Sequence, residues 1–208
     1  KVNLVAGAST FDCDSVAHSE AQELVKTPYF LFVGTIEPRK NLARLLAAYK
    51  QYTSGLDSPI KLKVVGASGW GGVNTQTIVN ELGLESNVDL LSSVEDDTLQ
   101  NLYRGAYALL MPSLYEGFGL PVVEAMKFKV PVLVSEHSAL SEVAGQGAVL
   151  VSPLSTESIC KGIQALAASN DFRNKLAAQA VAEAAHYSWD ISAKNLLMLM
   201  EKKVVSCG

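Results

Sequence analysis

The stretch MPSLYEGFGLPVVEAM, residues 111–126, joins an apolar run to a helix-period run through a glycine loop. It carries Glu116 and Glu124 eight positions apart, with Gly117, Gly119 and Pro121 between them. Proline suits a first helical position, because its missing N–H would be unpaired there anyway. A helix is therefore predicted from Leu120–Pro121. The N–H groups near Val122 and Val123 would then point back at the loop and form an anion site. Gly117 and Gly119 carry no side chain, so a ligand can approach the backbone closely. Glu124, in the first turn, would favour the helix dipole and could accept hydrogen bonds from a sugar diol. Glu116 would stand on the far side of the loop, across the phosphate position. By spacing alone, an ordinary strand–loop–helix connection with a glutamate near the helix start fits as well.

Outward from this stretch, short apolar runs alternate with helical periods. YFLFVG (29–34), KLKVVG (61–66), NVDLLS (87–92), YALLMPS (107–113), VPVLVSE (130–136) and GAVLVSP (147–153) read as strands. NLARLLAAYKQY places Leu42, Leu45, Leu46 and Tyr49 on one helical face, and TQTIVNELGL is a helix stopped by Gly83. SVEDDTLQNLYRGA has Ser93 and Asp96 at capping-box spacing, with Leu99, Leu102 and Tyr103 on one face. From Thr156 the chain reads as helix to its end. Strands alternating with helices predict an α/β fold. The expected architecture is a Rossmann-like, doubly wound parallel sheet of about six strands with a helical tail. Ligands of such sheets lie beyond the carboxyl ends of the strands, at the switch point. Residues 1–28 lack clear periodicity and read as a linker, with a short helix around 19–26.

Composition narrows the function classes. Of the 208 residues, 49% are apolar, enough for one sizeable core. The formal charge of −4 argues against nucleic acid as the main partner. No apolar run is long enough to span a bilayer. The start KVNLVAGAST has no adequate apolar core for a secretory leader. Cys13, Cys160 and Cys207, widely spaced and odd in number, read as reduced thiols in a cytoplasmic protein. His18, His137 and His186 are scattered, so no zinc site is expected. EDD (95–97) reads as a charge cluster at a helix start, not a metal motif.

The ordered set of motifs resembles a known family. EGFGLPVVE is similar to the Glu-x7-Glu motif of retaining glycosyltransferases of family 4, which have the two-domain GT-B fold. FVGTIEPRKNLARLLAAY, LKVVGASGW, VPVLVS and SALSEVAGQGAVLVSP agree in order, over about residues 28–200. The resemblance implies roles at matching positions. Glu116 would contact the donor sugar near the reacting centre, and Glu124 would hold the ribose hydroxyls. The backbone from Gly117 through Phe118, Gly119 and Leu120 to Val122 would bind sugar and phosphate. Gly34 and Thr35 belong to the phosphate loop, and Arg39 and Lys40 match the basic pair that neutralises the departing diphosphate. The segment Ser92–Glu95, with Val94, would lie against the base. The family implies no metal and no cofactor; the donor nucleotide sugar, GDP-, UDP- or ADP-linked, is the substrate. EPRKN is reminiscent of mannosyltransferases, which suggests GDP-mannose as donor and a sugar or lipid-linked acceptor.

The departures are as informative. Thr35 stands where many members have arginine, so the phosphate clamp falls to Arg39 and Lys40. Lys129 stands where glycine often follows the motif helix, which predicts a tighter turn or a strained helix end. Ser141 replaces a usual proline. The match covers only the C-terminal half of the family's fold. The expected organisation is a linker over 1–28, a donor-binding domain over 29–188, and a closing helix over 189–208 that would pack on an absent N-terminal acceptor domain. The whole enzyme could associate peripherally with a membrane. GASGWGG (66–72) lacks dinucleotide-fingerprint spacing; Trp70 either borders the cleft or packs its indole. His137 reads as a surface-loop histidine. A nucleotide-sugar-binding module without catalysis, or a GT-B epimerase or phosphorylase-like enzyme, are the rival readings.

Overall fold

Strand β1 (Tyr29–Val33, YFLFV) is buried along its whole length, as a central strand covered on both faces must be. The computed structural model describes residues 9, 11, 27–72 and 74–205. The chain continues through α1 (Leu42–Thr53), β2 (Lys61–Val65), α2 (Thr75–Glu81), β3 (Val88–Leu91), α3 (Asp96–Gly105) and β4 (Ala106–Met111). Then come α4 (Leu120–Lys127), β5 (Val132–Ser135), α5 (Ala139–Ala144) and β6 (Ala148–Val151). Three helices close it: α6 (Thr156–Ala168), α7 (Asn170–Ala184) and α8 (Trp189–Val205). The six strands form one parallel sheet in the order β3-β2-β1-β4-β5-β6. This is the doubly wound architecture expected from the alternation.

Side chains of a strand alternate between faces, and β1 divides accordingly. Phe30 and Phe32 pack with Leu45, Leu46 and Tyr49 of α1 and with Ile163 of α6. Leu31 and Val33 face the other layer, with Val122 and Met126 of α4 and Leu140 of α5. Truncating a fully buried phenylalanine such as Phe30 to alanine typically costs about 3–5 kcal/mol.

Helix ends follow the local sequence with two differences. Ser138, Ser155 and Ser169 cap α5, α6 and α7 through their hydroxyls. Gly83 follows α2 with φ +61°, as its stopping role requires. The capping box expected at Ser93 is absent: Glu95 is the N-cap of α3 and makes no side-chain cap. Asp96 and Asp97 instead favour the helix through its dipole. At the end of α4, Val130 N–H bonds to Ala125 and Lys129 N–H to Met126, which is the Schellman pattern. Lys129 therefore sits at φ +60°, the left-handed position that glycine would occupy with less strain. The expected helix around 19–26, Cys13 and Cys207 lie outside the described residues. Cys160 is a buried free thiol on α6.

Candidate functional site

The order of the sheet reverses between β1 and β4, so their outgoing loops flank the switch point where α/β sheets hold ligands. Three loops are pinned together there by Asn41, a buried residue in left-handed conformation at φ +59°. Its amide donates to the Pro112 carbonyl at 2.8 Å and to the Pro153 carbonyl at 2.7 Å. Leu114 N–H closes the same junction on the Arg39 carbonyl, at 2.7 Å. The order RKN follows from this: the asparagine locks the turn that aims the two preceding cations at the loop after β4. Sequence reasoning left Asn41 out, because its partners lie far away in the chain.

Both cations meet Glu116. Lys40 Nζ lies 2.5 Å from Oε1 and Arg39 Nη1 2.7 Å from Oε2. Ser113 Oγ donates to Oε1 at 3.1 Å, and Arg39 Nε pairs with Glu37 at 2.7 Å. The Lys40 and Glu116 side chains are only 8% and 7% exposed, a depth at which charges must be paired. Gly34, at φ +147°, makes room for this: a Cβ there would stand 3.2 Å from Lys40 Cε. Glu116, expected across the loop from the phosphate position, lies against Arg39 and Lys40. Among the described residues, Glu116 is the acidic side chain that pairs with Lys40.

The glycine loop also differs in detail. α4 does begin at Leu120, with Pro121 behind it, but Val122 and Val123 N–H both turn onto the Gly119 carbonyl, at 2.9 and 3.4 Å. They are not free donors. Earlier in the loop, Gly117, Phe118, Gly119 and Leu120 N–H meet no backbone acceptor among the described residues. Gly119 has φ +94°, and a Cβ there would collide with Leu140 at 2.3 Å; around Gly117 the space is open. The Phe118 ring packs edge-on against Tyr187, with centroids 5.5 Å apart, so only its backbone is available to a ligand.

Glu124 lies in the second turn of α4, not the first, and so acts as a side chain rather than a dipole partner. Its Oε2 accepts a hydrogen bond from the Tyr103 hydroxyl at 2.8 Å. Burial raises the Glu124 pKa above the usual 4.5, and the Tyr103 bond partly opposes that. The two motif glutamates thus have separate partners.

On the other flank, a cavity of about 470 Å³ opens among Ile36, Gly66, Gly69, Thr75, Leu91 and Ser92. The Thr75 hydroxyl is buried in its wall and meets no partner among the described residues. Thr35 is exposed beside this region, while Val94 leans on the core. Trp70 is 65% exposed, so its indole is not packed.

A family model for glycosyl transferases group 1 matches residues 16–182. The chain is 34% identical over 162 residues to the O-antigen chain mannosyltransferase B of Escherichia coli, covering 78% of this chain and 42% of that protein. It is 36% identical over 148 residues to the O-antigen chain mannosyltransferase RfbU of Salmonella typhimurium, covering 70% and 41%. The chain thus spans less than half the length of these curated relatives. A sucrose-phosphate synthase from Thermosynechococcus elongatus shares its fold with a TM-score of 0.78 at 23% identity, over 97% of this chain and 50% of that one.

Proposed function

The chain belongs to the glycosyl transferases group 1 family, and on that premise we propose that it is the donor-binding half of a retaining hexosyltransferase. The observation that carries this is the pairing of Glu116 with both Lys40 and Arg39 at the switch point. Two cations held beside open backbone amides are what a departing nucleoside diphosphate needs. As the glycosidic bond breaks, its electron pair passes to a phosphate oxygen. Preorganised charge aimed there lowers the barrier. Arg39 can fork two oxygens while Lys40 acts as a point charge. The Gly117–Leu120 amides extend the same cradle. Glu116, released from the cations by the diphosphate, turns to the sugar hydroxyls.

Glu124 takes the ribose diol in this reading, and the base enters the cavity beside Ser92 and Thr75. Mannose from GDP-mannose is the donor we favour, because the two O-antigen relatives described above are named mannosyltransferases; UDP- and ADP-sugars are the alternatives. The acceptor, a sugar or lipid-linked glycan, binds a second domain. Residues 29–188 form the donor domain, and α8 packs on that second domain. Its Trp189, Ile191, Leu196, Leu197, Met198 and Met200 are exposed, which supports a docking role. Among the described residues no helix is long and apolar enough to cross a membrane. The test is Glu116→Gln in the full-length enzyme. Transfer falls by 100-fold or more, on the order of one lost charge-stabilising group, while nucleotide binding survives. Unchanged transfer refutes the assignment and leaves a binding module.

A further inference from the structure

Tyr103 reads in the sequence as one of three core-facing residues of a helix, and its ring is indeed fully buried. The ring lies nearly parallel to Phe128, with centroids 5.9 Å apart and an interplanar angle of 9°. Phe11 tilts against it at 6.3 Å. A ring so enclosed has one orientation, and its hydroxyl is therefore fixed in space. That hydroxyl ends 2.8 Å from Glu124 Oε2.

We propose that Tyr103 is a positioning residue for the donor nucleotide: it holds Oε2 of Glu124 so that Oε1 stays presented to the ribose diol. This rests on the reading of Glu124 given above. A glutamate on a helix has several rotamers, and ordering such a side chain on binding costs about 0.5–1.5 kcal/mol. A pre-made hydrogen bond removes that cost. Next, the loop after β3, whose Ser92 lines the cavity assigned to the base, leads through Glu95 into α3, the helix that carries Tyr103. The chain thus runs from the base wall into the helix that holds the ribose carboxylate. Finally, the bond sustains the ionised form that a diol recognises best. Burial and Asp96 at the start of α3 favour the protonated acid, while Tyr103 and Lys127 of α4 favour the carboxylate. Burial first, then Glu124 itself, holds the phenol well above its ordinary range, so it donates at every working pH.

Tyr103→Phe deletes the donor and keeps the ring. The chain, the variant and Glu124→Gln are titrated calorimetrically with GDP, UDP and ADP, each beside its 2′,3′-dideoxy form, from pH 5 to 8. Carboxyl carbon NMR follows Glu124 in the empty protein. In Tyr103→Phe, binding weakens about 3–10-fold. The preference for ribose over dideoxyribose shrinks, and both the Glu124 titration and the acid limb of binding move to higher pH. Phe128→Leu loosens the ring stack but keeps the hydroxyl; it lowers thermal stability, and the ribose preference shrinks less than in Tyr103→Phe. If Tyr103→Phe retains the wild-type ribose preference and Glu124 titration, the inference falls while the donor-site reading stands. If the unmodified chain shows no ribose preference that depends on Glu124, the donor-site reading falls and takes this inference with it.

Discussion

In the proposed donor site, Glu116 sits on the cations that would take the diphosphate, so the empty site is self-neutralised. Lys40 and Arg39 are matched by Glu116 and Glu37. Replacing Glu116 with Gln leaves the shape and gives the cluster one net positive charge. A unit charge about 5 Å from a phosphate interacts by about 3 kcal/mol at an effective dielectric constant near 20. Arg39 is 36% exposed on its side chain, so solvent screens part of this. A net gain of about 1–2 kcal/mol remains, or about 5–30-fold tighter nucleoside diphosphate binding. The same variant loses stability when empty, by on the order of 2–4 kcal/mol, because Lys40 is left buried with a neutral partner. Calorimetry with the nucleoside diphosphate that binds best, at 50 and 300 mM salt, reads the affinity; thermal melts read the stability. The variant's affinity should also fall more steeply with salt. Equal or weaker binding by Glu116→Gln would refute the idea that donor entry is an exchange of one anion for another.

Two further outcomes follow from named positions. Burial raises the folded pKa of Glu124 above 4.5, so the fold favours its protonated form. That stability is fully present below the unfolded pKa and is lost as pH rises through the folded value. Glu124→Gln should therefore melt higher than wild type near pH 8, with the difference closing toward pH 4; identical melts at pH 8 would contradict it. Lys129→Gly should relieve the left-handed strain at φ +60° and gain about 1 kcal/mol, or about 2–4 °C in Tm. A lower Tm would mean that the lysine side chain contributes more than its backbone costs.

Much of this was legible in the sequence because the relevant signals are local. The strands of a parallel sheet are continuous apolar runs, and Pro121 and Gly83 mark helix boundaries by their backbone chemistry alone. The site was legible as a set of residues but not as an arrangement. Glu116 meets Lys40 across 76 positions of chain, and no spacing rule reports such a pair. Asn41 drew no reading from the sequence, because the Pro112 and Pro153 carbonyls that its amide meets lie 71 and 112 positions away. Tyr103 was hidden by its own ring, since a helical apolar period says nothing of where a phenol hydroxyl ends. The misassigned amides at Val122 and Val123 reflect the tightness of the first turn of α4, where both bond to Gly119. The Ser93 cap failed because the helix begins later, behind Glu95.

The central claim is that Lys40 and its neighbours bind the diphosphate of a donor nucleotide. Lys40→Met keeps the buried stem and removes the charge. Calorimetry of this chain and of Lys40→Met with GDP, UDP, ADP and the corresponding nucleosides tests it. The account predicts that the chain binds one nucleoside diphosphate preferentially, that Lys40→Met weakens it at least about 10-fold, and that the nucleosides do not distinguish the two proteins. Equal diphosphate binding by both would contradict it.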